Sequence, residues 1–266
     1  MSIGIAIILV TVIGLVGAVI LVLAAKFMSV YEDPRVGQVN ECLPGANCGG
    51  CGFAGCADYA KAIVENGAPV NKCAVGGAEC AAAIANVMGV EAGSSVKTAA
   101  VVGCKGANGV CKQKFEYQGI QTCAAAKAVQ GGPNACSFGC LGLGDCTRAC
   151  AFDSIHVKDG LAEVDQGKCV GCGACVDVCP QKIIHLSTAK AVKKPVVACH
   201  NQEKGAAVMK ECSTGCIGCG ICQKNCPEGA IKVENFLARI DYDKCTGCNT
   251  CVEKCPKHII FKGEDL

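Results

Sequence analysis

The chain has 266 residues, and its 25 basic side chains nearly balance 23 acidic ones. That balance excludes the basic footprint of a nucleic-acid-binding protein, and with no Trp and four Tyr there are no stacking platforms for bases. The 27 cysteines are about a tenth of the chain and govern the reading that follows.

Residues 3–25, "IGIAIILVTVIGLVGAVILVLAA", contain no ionisable side chain. At 1.5 Å per residue such a helix crosses a hydrocarbon core of about 30 Å with some tilt. A cleaved signal would carry a basic leader and a shorter apolar run, so residues 1–28 are expected to form a retained membrane anchor. Lys26 and Arg35 follow the span and nothing basic precedes it, which predicts that the rest of the chain faces the cytosol. Apart from Thr11 no polar residue interrupts the span, so the helix reads as an anchor and not as an ion path.

The stretch "NCGGCGFAGCADYAKAI", residues 47–63, puts Cys48, Cys51 and Cys56 on a glycine-rich turn that leads into a helix. Cys73 follows in "NKCAVGG", giving C-x2-C-x4-C-x16-C, enough thiols to surround one metal centre. Residues 29–92 are expected to form one small domain, with Cys42 and Cys80 as ordinary buried thiols. Residues 93–122 read as a connecting segment.

Beyond it the chain repeats. Adding 76 to Cys123, Cys136, Cys140, Cys146, Cys150, Cys169, Cys172, Cys175 and Cys179 gives Cys199, Cys212, Cys216, Cys222, Cys226, Cys245, Cys248, Cys251 and Cys255. Pro180 falls on Pro256, Gly171 on Gly247 and Asp165 on Asp241. Residues 123–189 and 190–266 therefore read as two copies of one module.

In the second copy, "CIGCGICQKNCPEGAI" and "CTGCNTCVEKCPKHII" are the C-x2-C-x2-C-x3-C-P runs of a two-cluster ferredoxin. In such runs three cysteines hold one [4Fe–4S] cluster and the fourth ligates the other. Cys216, Cys219 and Cys222 are expected to act with Cys255, and Cys245, Cys248 and Cys251 with Cys226. Zinc would favour paired C-x2-C halves, and disulfides would staple more distant loops. The first copy has Leu143 where the second has Cys219. Cys136 is the expected substitute, giving Cys136, Cys140, Cys146 and Cys179 as one set and Cys150, Cys169, Cys172 and Cys175 as the other. "IHVKDGLAEVD" and "IKVENFLARID" read as short hairpins.

Five clusters leave Cys104, Cys111, Cys123, Cys199 and Cys212 over. Three readings stand for them: buried thiols, a zinc site, or a sixth cluster built from Cys104, Cys111 and Cys123 with Cys199 or Cys212. His156, His185, His200 and His258 are scattered and expected to serve surface or packing roles. No nucleotide-binding glycine fingerprint, flavin motif or nucleophile–base pair is present, so the chain reads as an electron relay without a bond-making site.

An anchor, the opening cysteine motif and two ferredoxin modules in this order resemble the RnfB family of Rnf complexes over nearly the whole chain. "LPGANCGGCGFAGCADYAKAI" with "VNKCAVGG" resembles that family's iron–sulfur domain, in which four cysteines bind one [4Fe–4S] cluster. The resemblance assigns Cys48, Cys51, Cys56 and Cys73 to it. A similar opening domain occurs in corrinoid iron–sulfur proteins, but 266 residues leave no room for their barrel and corrin-binding domain. The fold class expected is α+β: one transmembrane helix, a small helical 4Fe–4S domain and two tandem 2[4Fe–4S] ferredoxin-like modules.

What the resemblance implies is a cell-membrane subunit of an ion-translocating ferredoxin:NAD+ oxidoreductase, carrying at least five [4Fe–4S] clusters. It would take electrons from soluble ferredoxin and pass them to multi-span membrane and flavin-bearing subunits, with Na+ or H+ translocated. The alternative is a membrane-anchored polyferredoxin of a hydrogenase or formate dehydrogenase. Ferredoxin is usually acidic, so "KAVKKPVV", with Lys190, Lys193 and Lys194, reads either as a solvated link or as its dock.

Overall fold

An uncharged aliphatic run must satisfy its backbone within itself, and residues 3–27 do so as helix α1, Ile3–Phe27. This computed structural model describes residues 3–27, 33–93, 97–188 and 193–265. The 25 residues of α1 make a rod roughly 37 Å long. It is the one helix among the described residues long and apolar enough to cross a membrane, with a mean hydropathy of 3.1 over Ile7–Ala24 and none of that window buried against the protein. Thr11 donates its hydroxyl back to the carbonyls of Ile7 and Ile8, at 3.0 and 2.9 Å, and so needs no outside partner.

Three helices follow: α2, Pro34–Cys42, α3, Cys56–Asn66, and α4, Gly77–Met88. Asp33 caps α2 by accepting the Arg35 N–H at 2.9 Å, and Pro34 occupies the first turn, where its missing N–H costs nothing. Val39, Tyr59, Ile63 and Ile84 lock the three helices around one core. The Tyr59 hydroxyl donates to the Pro69 carbonyl at 2.6 Å and accepts the Lys72 N–H at 3.1 Å, fixing the loop that presents Cys73.

The remainder alternates short strands and helices. The first part comprises β1, Ala99–Val102, α5, Cys123–Ala128, α6, Asp145–Ala149, β2, Ile155–Lys158, β3, Leu161–Val164, α7, Ala174–Val178, and β4, Ile184–Ser187. The second comprises β5, Val196–Val197, α8, Gly205–Glu211, α9, Ile221–Lys224, β6, Ile231–Glu234, β7, Leu237–Ile240, α10, Thr250–Lys254, and β8, Ile260–Phe261. They form four antiparallel pairs: β1 with β4, β2 with β3, β5 with β8, and β6 with β7. Both expected hairpins are present. Asp159 and Gly160 turn the first at φ 48° and 73°, and Asn235 and Phe236 turn the second at φ 49° and 59°.

The repeat holds in register. Val102 faces Ile184 as Val197 faces Ile260. The next N–H, of Gly103 or Ala198, donates to the carbonyl of Ile183 at 2.7 Å or Ile259 at 2.9 Å. A strand ahead of each copy therefore closes that copy's last strand. For the first copy this strand is β1, within the segment expected to be a connector. It also follows that the spatial counterpart of Cys199 is Cys104, although the offset of 76 lines Cys199 up with Cys123.

Ile155, Leu161, Ile183 and Ile184 build the core of one copy, and Ile231, Leu237, Ile259 and Ile260 repeat it in the other. The copies join where Cys111 bridges Cys212, with Lys112 N–H donating to Glu211 O at 2.8 Å and Ser213 N–H to Val110 O at 3.1 Å. The helical domain meets the first copy at Gly50, where a Cβ would stand 2.4 Å from the Cys172 carbonyl, so only glycine allows that approach. Of the basic run, Lys190 lies outside the described residues and Lys193 is exposed. Lys194 is tied to the second copy by donating to the Tyr242 carbonyl at 2.6 Å.

Candidate iron–sulfur centres

The turn that begins at Asn47 is held by its own side chain, whose oxygen accepts the Cys56 N–H at 2.8 Å at the start of α3. Cys48, Cys51, Cys56 and Cys73 then line one cavity, with Leu43 and Tyr59 in its wall and Cys172 of the first copy at its edge. Gly76 N–H donates to Cys73 Sγ at 3.3 Å. Free N–H groups at the start of α3 suit an anionic centre. Cys80 lies in the core behind, where burial first and the charge of Cys73 second push its thiol up to about 11, so it stays protonated.

In the second copy, Gly218 at φ 64° lets the first cysteine run cross the hairpin, because a Cβ there would meet the Phe236 carbonyl at 2.7 Å. Gly142 does the same against Gly160 in the first copy. Cys216, Cys219, Cys222 and Cys255 line one cavity. Cys226 accepts the Ala230 N–H at 3.3 Å, and its counterpart Cys150 accepts the Ser154 N–H at 3.5 Å. Burial, then the charge of Cys245, with those of Cys222 and Cys248 behind it, pushes Cys251 up to about 11. Burial, then the charges of Cys169, Cys172, Cys146 and Cys150, pushes Cys175 up to about 12. Cys169 accepts the Ala100 N–H of β1 at 3.3 Å, which ties that strand to the site.

The irregular run departs from expectation. Cys123 opens α5, which Thr122 caps by accepting the Ala125 N–H at 3.2 Å and which the Asp145 carboxylate holds through the Ala124 N–H at 3.1 Å. Cys123 packs with Leu141 and Leu143, and its charge, with that of Cys179, acts on Cys140 and Cys146. Cys136 stands elsewhere, in a cavity that Cys104, Cys111, Cys199 and Cys212 also line. The set expected around Cys136 is therefore revised: the thiol beside Cys140, Cys146 and Cys179 is Cys123. The offset of 76 gave no signal to choose between them: Cys199 and Cys212 are both surplus in the complete second copy, so their equivalents Cys123 and Cys136 both read as surplus in the first.

Cys111 and Cys212 face each other across an isolated β-bridge, and each acts on the other, raising the Cys111 thiol and lowering that of Cys212. Of the histidines, His200 lines this cavity, with Nδ1 3.2 Å from the Gly103 carbonyl. None of the 27 cysteines is joined in a disulfide. Among the described residues no three His, Cys, Asp or Glu side chains converge tightly enough to hold a single metal ion. A cubane cluster spreads its four thiolates more widely than one ion does, and these apolar cavities with all-sulfur donors and backbone N–H groups aimed at sulfur fit it.

Comparison with known proteins bears on the same residues. A family described as "Putative Fe-S cluster" matches residues 43–75, and 4Fe–4S dicluster domains match 168–230 and 215–260. The match over 168–230 joins the second run of one copy to the first run of the next. In the fold, α6 packs on α7 and α9 on α10, within each copy. The B subunit of the Na(+)-translocating ferredoxin:NAD(+) oxidoreductase complex of Acetobacterium woodii is 49% identical over 87% of this chain and 69% of its own length. The chain belongs to the RnfB family. The B subunit of the ion-translocating oxidoreductase complex of Methanosarcina acetivorans is 43% identical over 87% of each chain. Its counterpart in the proton-translocating ferredoxin:NAD(+) oxidoreductase complex of Clostridium ljungdahlii is 41% identical over 87% of this chain and 81% of its own. As a member of the RnfB family, the chain is an iron–sulfur electron-transfer subunit of an ion-translocating oxidoreductase. It binds multiple [4Fe–4S] clusters, works with other subunits, and through α1 is associated with the membrane.

Proposed function

We propose that this subunit is the entry wire of its complex, taking electrons from reduced ferredoxin and relaying them to partner subunits that reduce NAD+ while Na+ or H+ is translocated. The observation that carries the reading is the contiguity of the thiol sets. Cys172 edges the cavity of Cys48, Cys51, Cys56 and Cys73, Cys146 and Cys175 share the core of the first copy, and Cys222 and Cys251 share that of the second. Electron tunnelling falls steeply with distance, so sets that touch one another make a path.

The domains proposed are the anchor, residues 1–28, the iron–sulfur domain, 29–92, a first ferredoxin-like module that takes in β1 and runs to 189, and a second from 190 to 266. The ligand sets are Cys48, Cys51, Cys56 and Cys73; Cys150, Cys169, Cys172 and Cys175; Cys123, Cys140, Cys146 and Cys179; Cys216, Cys219, Cys222 and Cys255; and Cys226, Cys245, Cys248 and Cys251. The clusters would supply one-electron chemistry; the chain's part is to hold them, keep water away and aim N–H groups at their sulfurs. Cys219 and Cys248 are the two exposed thiols, which favours the second module as the end that meets the donor. The iron–sulfur domain follows α1 directly and stands at the membrane end, on the cytoplasmic side by the placement of Lys26 and Arg35.

The test is the full chain prepared without oxygen. About 20 irons or more and reduction by ferredoxin are expected; fewer than about 16 irons, or no reduction by ferredoxin, would overturn the reading. Cys123→Ala is expected to cost about four irons.

A further inference from the structure

Apart from Cys42 and Cys80, five clusters leave Cys104, Cys111, Cys136, Cys199 and Cys212 unused, and these line one cavity where the two modules meet. Counting its open mouth it measures about 400 Å³, against about 370 Å³ for the cavity of Cys48 and about 350 Å³ for that of Cys216. The space matches that of the sites already described.

Four of the five thiols obey the duplication. Cys104 and Cys199 each stand two residues beyond the strand that closes their module, β1 or β5. Each Sγ accepts, at 3.4 Å, the N–H of the first cysteine of the following run, Cys140 or Cys216. Cys136 and Cys212 each stand four residues before that same cysteine. Cys111 has no counterpart, and its Sγ stands 3.6 Å from the carbonyl of its neighbour Lys112.

Donors aimed at sulfur mark the same set. Gly106 N–H reaches Cys104 Sγ at 3.3 Å, and the Asn201 side-chain amide donates to Cys136 Sγ at 3.3 Å. Asn201 is 2% exposed and crosses from the second module to a thiol of the first. The same amide also donates to the Glu203 carboxylate at 3.4 Å, and its bond to Cys136 favours that sulfur as a thiolate against the effect of burial.

We propose that Cys104, Cys136, Cys199 and Cys212 hold a sixth [4Fe–4S] cluster that joins the two ferredoxin modules, with Asn201 tuning its potential. The proposal rests on the five-cluster reading above. Cys104 touches Cys140 of one module and Cys199 touches Cys216 of the other, so the site lies between the two. One electron then leaves one module and enters the other, with no proton moved and no bond made or broken.

Iron and acid-labile sulfide are counted in the full chain, and reduced samples are examined by paramagnetic resonance. The wild type should hold about 24 irons. The double substitution Cys104→Ala/Cys199→Ala should lose about four of them, and Cys111→Ala none. Asn201→Leu should keep the iron and lower the midpoint potential of one signal, because an N–H donor to sulfur favours the reduced state. About 20 irons in the wild type, zinc in place of the missing four, or a four-iron loss in Cys111→Ala would each overturn the proposal. Should the double variant not fold, the wild-type count and Cys111→Ala decide it. Fewer than about 16 irons would instead strike the five-cluster reading itself.

Discussion

Tyr59 holds two backbone groups of the loop ahead of Cys73 with one hydroxyl, the Pro69 carbonyl and the Lys72 N–H. Tyr59→Phe leaves both without that partner and should cost about 1–3 kcal/mol. The expected readout is faster iron loss from the holoprotein in chelator, with the ferredoxin-module signals unchanged. Phe236 offers the opposite case. At φ 59° a bulky side chain sits where its counterpart Gly160 is at ease, so Phe236→Gly should be neutral or stabilising by up to about 1 kcal/mol in denaturant unfolding. The buried thiols make a third residue-scale prediction. Burial, with neighbouring cysteine charge, raises Cys146, Cys222 and Cys251 to about 11 and Cys175 to about 12 from 9.0. Raised folded values mean that the cluster-free chain keeps this stability below pH 9 and loses it as pH rises through 11 to 12. Ligation needs thiolates, so cluster loading at neutral pH should release protons, measurable in weak buffer. A flat stability profile from pH 8 to 11 in the cluster-free chain, or loading without proton release, would contradict the assignment.

At the scale of elements, α5 brings Cys123, the proposed replacement for the thiol missing at Leu143. Leu143→Cys restores the regular run, so Leu143→Cys combined with Cys123→Ala should hold more iron than Cys123→Ala alone, by about four per chain. No rescue would mean that the geometry around Leu143 no longer admits a thiolate. The hairpins were legible because their signal is local: Asp159-Gly160 sits between alternating strands four residues long on each side. The cysteine runs were legible for the same reason. The role of Cys123 was not, because an insertion carrying α5 places a thiol at the offset of 76 from Cys199 while the fold makes Cys104 its counterpart. An offset read along the chain cannot reveal which of two thiols the intervening backbone turns inward.

For the whole molecule, α1 adds nothing to the core of the rest, since none of its membrane-length window is buried there. Removing residues 1–32 should therefore yield a chain that stays in solution without detergent and keeps the iron content of the full protein. Sedimentation and iron analysis check both. The apolar N-terminal helix and the ferredoxin-type cysteine runs could be read from composition and repeats. The docking of the parts could not. Gly50 against Cys172, and β1 against β4, depend on pairings of residues far apart in sequence that leave no periodic trace.

Those distant pairings also bear on how the protein comes to exist. As the chain leaves the ribosome, the pocket of Cys48 and Cys73 can close early. The first copy cannot seal until Ile184 arrives to meet Val102, and the second stays open until Ile260 meets Val197. In the proposed sixth site Cys104 would wait longest, because Cys199 and Cys212 are made long after it. With the proposed ligand sets, iron loading would run from the N-terminal end onward, and a product released just short of Ile260 would lack its last strand pair.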